Sequence, residues 1–138
     1  MKKWLSGVLF CIFLSGCTSS ETTNYEYTFT GESEYWEAEY KERGTGETAA
    51  FNKVEDELIV TYKGPIEELA TTELLSYSFQ STVDQASVTS TFDQPLNTKR
   101  FSIQGGSKNR DRTNKEEVLI VKVRWNGKFE NIELHRVK

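Results

Sequence analysis

The chain has one histidine and two cysteines, with 21 Asp and Glu against 17 Lys and Arg. A four-cysteine zinc site and a multi-histidine metal site are therefore excluded from the start. His135 is the sole imidazole. A histidine base needs an aligned nucleophile and an orienting acid. Nothing near His135 marks either; it lies among Glu133 and Arg124 on what reads as the wetter face of the last strand. Carboxylates are more promising. Glu32, Glu34, Glu37 and Glu39 cluster within eight residues. Two such groups could cleave a glycosidic bond if their surroundings split their pKa values, and several converging oxygens could hold calcium. The segment has no Asp-rich loop with a glycine at fixed offset, and its alternation turns Glu37 and Glu39 to solvent. The expectation is a wet acidic face, with no metal and no cofactor.

Cationic side chains are also unevenly placed. Residues 18 to 73 hold fourteen acids and four bases, whereas residues 74 to 138 hold seven acids and eleven bases. Lys99, Arg100, Lys108, Arg110, Arg112 and Lys115 lie close together in sequence. Of these, Lys108, Arg110, Arg112 and Lys115 fall in Gly105 to Lys115, a stretch with no apolar residue that reads as a loop. They are the candidate contacts to an anionic surface, each Lys or Arg near a membrane contributing about 1 kcal/mol. The competing reading is a solvated loop that balances the acidic half within the fold. The acidic total argues against nucleic acid, because phosphate binding needs net positive charge on the contact face. Gly105-Gly106 has no lysine at the spacing of a phosphate loop and no helix after it. Trp36, Trp125 and the tyrosines could stack on sugars, but they fall on apolar strand faces and read as core. Trp125, beside a hairpin tip, is expected to be half exposed.

The thiols carry the most specific signal. Met1-Lys2-Lys3 gives a positive start, and Trp4 to Leu14 is an apolar run too short to span a bilayer. Leu14-Ser15-Gly16-Cys17 follows. This resembles the lipobox of bacterial lipoproteins, in which small residues fit the signal peptidase and the cysteine thiol accepts diacylglycerol. Residues 1–16 are accordingly expected to be a cleaved signal peptide and Cys17 the lipidated residue. Cleavage removes Lys2, Lys3 and Cys11, leaving 15 bases against 21 acids and one modified thiol. No disulfide or thiol catalysis is then available. Residues 17–24 form the lipidated Cys and a polar tether, and residues 25–138 a domain that must stand on its core alone. A chain of that size buries about two-thirds of its unfolded surface and needs no staple.

The elements that position these groups read as strands. Tyr25, Tyr27 and Phe29, then Trp36, Ala38 and Tyr40, alternate with polar residues around a Gly31–Glu34 turn, the pattern of an antiparallel hairpin. Arg43-Gly44-Thr45-Gly46 reads as a break. A weak strand over Thr48–Val54, a better one over Glu57–Lys63, and a helix of one or two turns begun by Pro65 come next. Ser76–Gln80, Ala86–Phe92 and Arg100–Gln104 are further strands. Val118–Trp125, Asn126-Gly127 and Lys128–Val137 form a hairpin with a type I′ turn. Its two-residue loop sets Trp125 opposite Lys128, Val121 opposite Ile132 and Leu119 opposite Leu134. One face is then Leu119, Val121, Val123, Ile132 and Leu134; the other is Lys122, Arg124, Asn131, Glu133 and His135. Some eight short antiparallel strands with little helix imply an all-β domain, either an immunoglobulin-like β-sandwich or a small barrel.

Tyr27-Thr28-Phe29-Thr30-Gly31-Glu32-Ser33-Glu34-Tyr35-Trp36 near the start and Trp125-Asn126-Gly127-Lys128 with Ile132 and Leu134 near the end resemble small uncharacterised lipoproteins of Gram-positive bacteria. The resemblance covers the lipobox and both ends of the domain. It implies an extracytoplasmic, membrane-anchored location and a β-rich fold, and nothing catalytic. Together the observations point to a non-catalytic binding or interaction module held by its lipid at the membrane, with an anionic envelope polymer or another envelope protein as partner. The alternative is a small carboxylate-dependent hydrolase of cell-wall glycan.

Overall fold

The computed structural model describes residues 23–46 and 51–138. Eight strands and one helical turn follow in chain order: β1 (Thr23–Glu32), β2 (Trp36–Gly46), β3 (Phe51–Tyr62), α1 (Ile66–Leu69), β4 (Leu74–Gln80), β5 (Gln85–Thr91), β6 (Arg100–Arg110), β7 (Leu119–Trp125) and β8 (Lys128–Arg136). They form one antiparallel sheet in the order β5-β4-β7-β8-β1-β2-β3-β6, nearly closed into a barrel. Of the two architectures expected, the barrel is the one adopted. Its two outer strands, β5 and β6, face each other across a seam without a backbone ladder.

Alternation builds the interior. Phe29, Trp36, Tyr40, Leu58, Val60, Tyr62, Leu75, Val121 and Trp125 all point inward and are buried. Trp36 meets Trp125 edge to face at 5.5 Å and Tyr62 at 5.2 Å. Aromatic pairs of this kind add about 0.5–1.5 kcal/mol beyond the area they bury. α1 follows β3 at this end of the barrel, where Leu69 is buried and Glu68 accepts a hydrogen bond from the Tyr62 hydroxyl. Pro65 sits one position ahead of the helical turn, not inside it.

The last hairpin forms in the expected register: Trp125 opposite Lys128, Val121 opposite Ile132, Leu119 opposite Leu134. Asn126 and Gly127 have φ of 47° and 73°, the positive values a type I′ turn demands. Leu119, Val121, Val123, Ile132 and Leu134 are buried, while Lys122, Arg124, Glu133 and His135 are exposed. Trp125, expected half exposed, is buried at 2%. Tyr35 packs edge-on against it at 5.9 Å, and the Lys128 ammonium lies over both rings.

Three boundaries differ from the sequence reading. Arg43–Gly46 does not break the first hairpin; β2 runs through to Gly46, and β1 begins opposite it at Thr23. Gly44 is there because a Cβ would overlap the ring of Tyr25 across the ladder. The two strands expected over Thr48–Val54 and Glu57–Lys63 are one, β3, whose charged middle alternates like the rest; residues 48–50 lie outside those described. Most consequentially, Gly105–Lys115 is not all loop. β6 continues through Gly105-Gly106 to Arg110, paired with β3 along its length. An apolar-free stretch is still a strand when its partner supplies the ladder and one of its faces meets polar side chains. Gly105 is required opposite Asp56, whose carboxylate fills the space of a Cβ.

Candidate functional site at the barrel mouth

The end of the barrel where β1 begins and β2 and β6 end carries a layer of charge beside a small apolar pair, Tyr25 and Val54. Inward parity along β2 runs Trp36, Ala38, Tyr40 and then Glu42, which is fully buried. Asp56 lies directly across the ladder on β3. Two carboxylates facing each other inside a barrel repel, and burying them without partners costs several kcal/mol each. Arg110 supplies the counter-charge. Its Nη2 donates to Glu42 Oε1, and its Nη1 lies 3.3 Å from Asp56 Oδ2 and 2.7 Å from Asp84 Oδ2, in the turn between β4 and β5. Its side chain is only 10% exposed, and its Nε has no partner.

Neutral donors complete the site. The Tyr25 hydroxyl donates to Glu42 Oε2 at 3.0 Å, and the Tyr40 hydroxyl lies 2.9 Å from Glu42 Oε1 and 3.0 Å from Asp56 Oδ2. Thr113, just past β6, donates its backbone N–H to Glu42 Oε2 at 2.9 Å and its hydroxyl to Oε1 at 2.7 Å. Burial, then contact with Asp84, pushes the Asp56 carboxyl from 3.8 up to about 6. Burial and the nearby Glu42 hold the Tyr25 and Tyr40 hydroxyls well above their usual range. Burial works against the charge on Arg110, but Glu42 and the other acceptors outweigh it and keep the guanidinium ionised.

The expected site residues scatter. Arg110, named as a contact to an anionic surface, is instead consumed inside the barrel by three carboxylates. Lys108 is exposed on β6, directly opposite exposed Lys53 on β3. Arg112 and Lys115 are exposed in the loop before β7, and the Lys115 carbonyl accepts from Arg136 Nε at 3.3 Å. Cys17 lies outside the described residues. His135 is 64% exposed, with Glu133 at 4.0 Å. Glu32, Glu34 and Glu37 are exposed, and half-buried Glu39 pairs with Lys41 at 3.1 Å. Glu37 and Glu39 border an open depression of about 520 Å³ on the outer wall, with Ile59, Thr61 and Arg100. None of these glutamates belongs to the mouth.

Glu42, Asp56 and Asp84 were not picked out by the sequence, although one signal was present. Extending the Trp36-Ala38-Tyr40 alternation by one step puts Glu42 inside. Reading Arg43–Gly46 as a break hid that step. Among the described residues, no grouping of three or more His, Cys, Asp or Glu has the arrangement to hold a metal ion. No helix among them is long and apolar enough to cross a membrane. Compared with protein-family models, curated proteins and solved structures, the chain matches none.

Proposed function

We propose that the protein is a lipid-anchored lipoprotein on the outer face of the cytoplasmic membrane, serving as a non-catalytic binding or interaction module. Leu14-Ser15-Gly16-Cys17 carries this reading: a leucine, two small residues and a cysteine behind a basic start and a short apolar run. Cys17 precedes Thr23 by six residues, a reach of at most about 20 Å. Because β1 starts at the mouth, that end of the barrel faces the bilayer. Lys108 then stands on the membrane side, opposite a Lys53 that is paired with Glu55 at 2.8 Å, and anionic headgroups complement the Lys108 charge. An anionic envelope polymer offers the same chemistry.

Cys17→Ala tests the anchor, since a second signal cannot stand in for the missing acyl chains. The variant is expected in the medium or as uncleaved precursor. Normal processing with full membrane retention would sink the proposal.

The hydrolase reading retains one supporting observation. Three carboxylates converge at the mouth, and one of them is poised near pH 6. Against it, Glu42 is fully buried and both of its oxygens are taken by Tyr25, Tyr40, Arg110 and Thr113. Asp56→Asn separates the two. Loss of glycan-cleaving activity in the variant supports the hydrolase, and a wild type without such activity supports the module.

A further inference from the structure

We infer that the open seam of the barrel is closed by a proton-controlled latch, in which Arg110 ties the β4–β5 turn to β3 through Asp84 and Asp56. The argument starts from topology. β5 and β6 end the sheet on either side, and no backbone ladder joins them. What crosses from β6 to the β4–β5 hairpin is side chain: the Tyr77 hydroxyl donates to the Ser102 carbonyl at 3.1 Å, and Arg110 reaches Asp84 at 2.7 Å. The first lies midway along the seam. The second lies at the mouth and is ionic, so its strength depends on the charges around it.

Those charges do not balance. Facing Asp56 are Glu42 and Tyr40 from β2, Tyr25 from β1 beyond Glu42, Arg110 from β6 and Asp84 from the β4–β5 turn; Thr113 is the neutral donor from the following loop. One guanidinium serves three carboxyl groups. Tyr40 makes the shortage concrete. Its hydroxyl has one proton yet lies at hydrogen-bond distance from both Glu42 and Asp56. It can donate to only one of them, and a proton on Asp56 satisfies the other contact. Asp56 and Asp84 also converge on the same Arg110 Nη1, at 3.3 Å and 2.7 Å, and two carboxylates held that close share a proton or separate.

Asp84 is the partner that can separate. Its side chain is 27% exposed, against 7% for Asp56 and none for Glu42. It sits in a tight turn that holds together without Arg110: Asp84 N–H donates to Ser81 Oγ at 3.0 Å, and Gln85 N–H to Asp84 Oδ1 at 2.8 Å. With Asp56 protonated, Arg110 is divided between Glu42 and Asp84, and the seam is shut. With Asp56 ionised, the cluster carries a surplus of two negative charges, Asp84 swings out, and β5 loses its tie to β6. The latch closes at acid pH and loosens towards neutral pH. Residues Gln85–Thr91 hold no charge and no proline, so a loosened β5 is an unguarded edge. The device works whether or not Cys17 is lipidated.

Amide exchange in the full chain, in detergent micelles and corrected for intrinsic rates, reads the latch directly. Between about pH 5 and about pH 8, protection over residues 85–91 should fall about tenfold, while the β1–β2 hairpin stays unchanged. Asp56→Asn should abolish that pH-dependence and keep β5 protected at both values. Asp84→Ala removes the half-buried turn carboxylate, leaves the β1–β2 protection intact and should hold β5 at its low protection throughout. An undiminished pH response in Asp56→Asn would overturn the latch. So would wild-type β5 protection in Asp84→Ala, which decides the matter if Asp56→Asn does not fold.

Discussion

Arg110 shows how far one side chain departs from what its neighbours in sequence suggest. Lys108 and Arg112, two positions either side, are exposed. Arg110 is engaged with Glu42, Asp56 and Asp84. Removing it leaves buried carboxylates without their counter-charge, a change that typically costs about 3–5 kcal/mol. Arg110→Ala should therefore lower the denaturation midpoint strongly, whereas Lys108→Ala should stay within about 0.5 kcal/mol of wild type. Similar small effects from both would mean that the mouth cluster does not hold the fold.

Asp56 adds a pH-dependence of definite sign. Its carboxyl is raised on folding from 3.8 to about 6, so the folded state binds the proton more tightly than the unfolded one. Its contribution to stability is fully present below pH 3.8 and is lost as pH rises through about 6. Other carboxylates pull the opposite way. Lys53, then Arg43, hold exposed Glu55 down at about 2. The Asp56 component is therefore best read as a difference: the stability of Asp56→Asn relative to wild type should improve between pH 4 and 6 in chemical denaturation. A flat difference would refute the assignment.

At the scale of elements, the β7–β8 hairpin is the clearest test of cause and effect. Gly127 has φ of 73°, yet nothing lies within 4 Å of where a Cβ would stand. Gly127→Val is thus a pure backbone penalty, about 1–3 kcal/mol. Val121 is fully buried opposite Ile132, so Val121→Asp places an unpaired charge in the core and should cost more. Glu133→Lys on the outer face should be nearly silent, within about 0.5 kcal/mol. Thermal or urea unfolding of the three variants gives the ranking, and equal losses for Val121→Asp and Glu133→Lys would invert the assigned faces. Asn126 adds a tertiary tie, its side-chain amide donating to the Thr72 hydroxyl at 3.2 Å. β1 and β8 join more sparingly, through Phe29 opposite Arg136 and Thr30 opposite His135. Gly31 stands at that crossing, where a Cβ would run into the Glu133 carbonyl. Gly31→Val should accordingly weaken the barrel at its narrowest ladder, seen as faster exchange of the β8 amides.

Across the whole molecule, two ends with opposite character share one sheet. The end holding Trp36, Tyr62, Trp125 and Leu69 is apolar and stacked, and the end holding Glu42, Asp56 and Arg110 is ionic. The apolar end follows from burial of aromatic area, which is non-directional and tolerant. The ionic end depends on each partner being in place, so its substitutions should be less forgiving.

Local alternation and one turn motif were enough to determine the all-β class, the two hairpins and the register around Asn126-Gly127. Those features depend on residues near each other in the chain, where period two and positive φ leave few choices. The anchor proposed at Cys17 rests on the sequence alone, since a lipobox depends on no fold. The mouth was decided only in three dimensions. Glu42, Asp56, Asp84 and Arg110 come from four segments, and each alone looks like a solvated charge. The sheet order brings β6 alongside β3 and the β4–β5 turn across from both. Electrostatic pairing at that distance has no period and no motif, so Arg110 reads as a surface cation until the barrel folds around it.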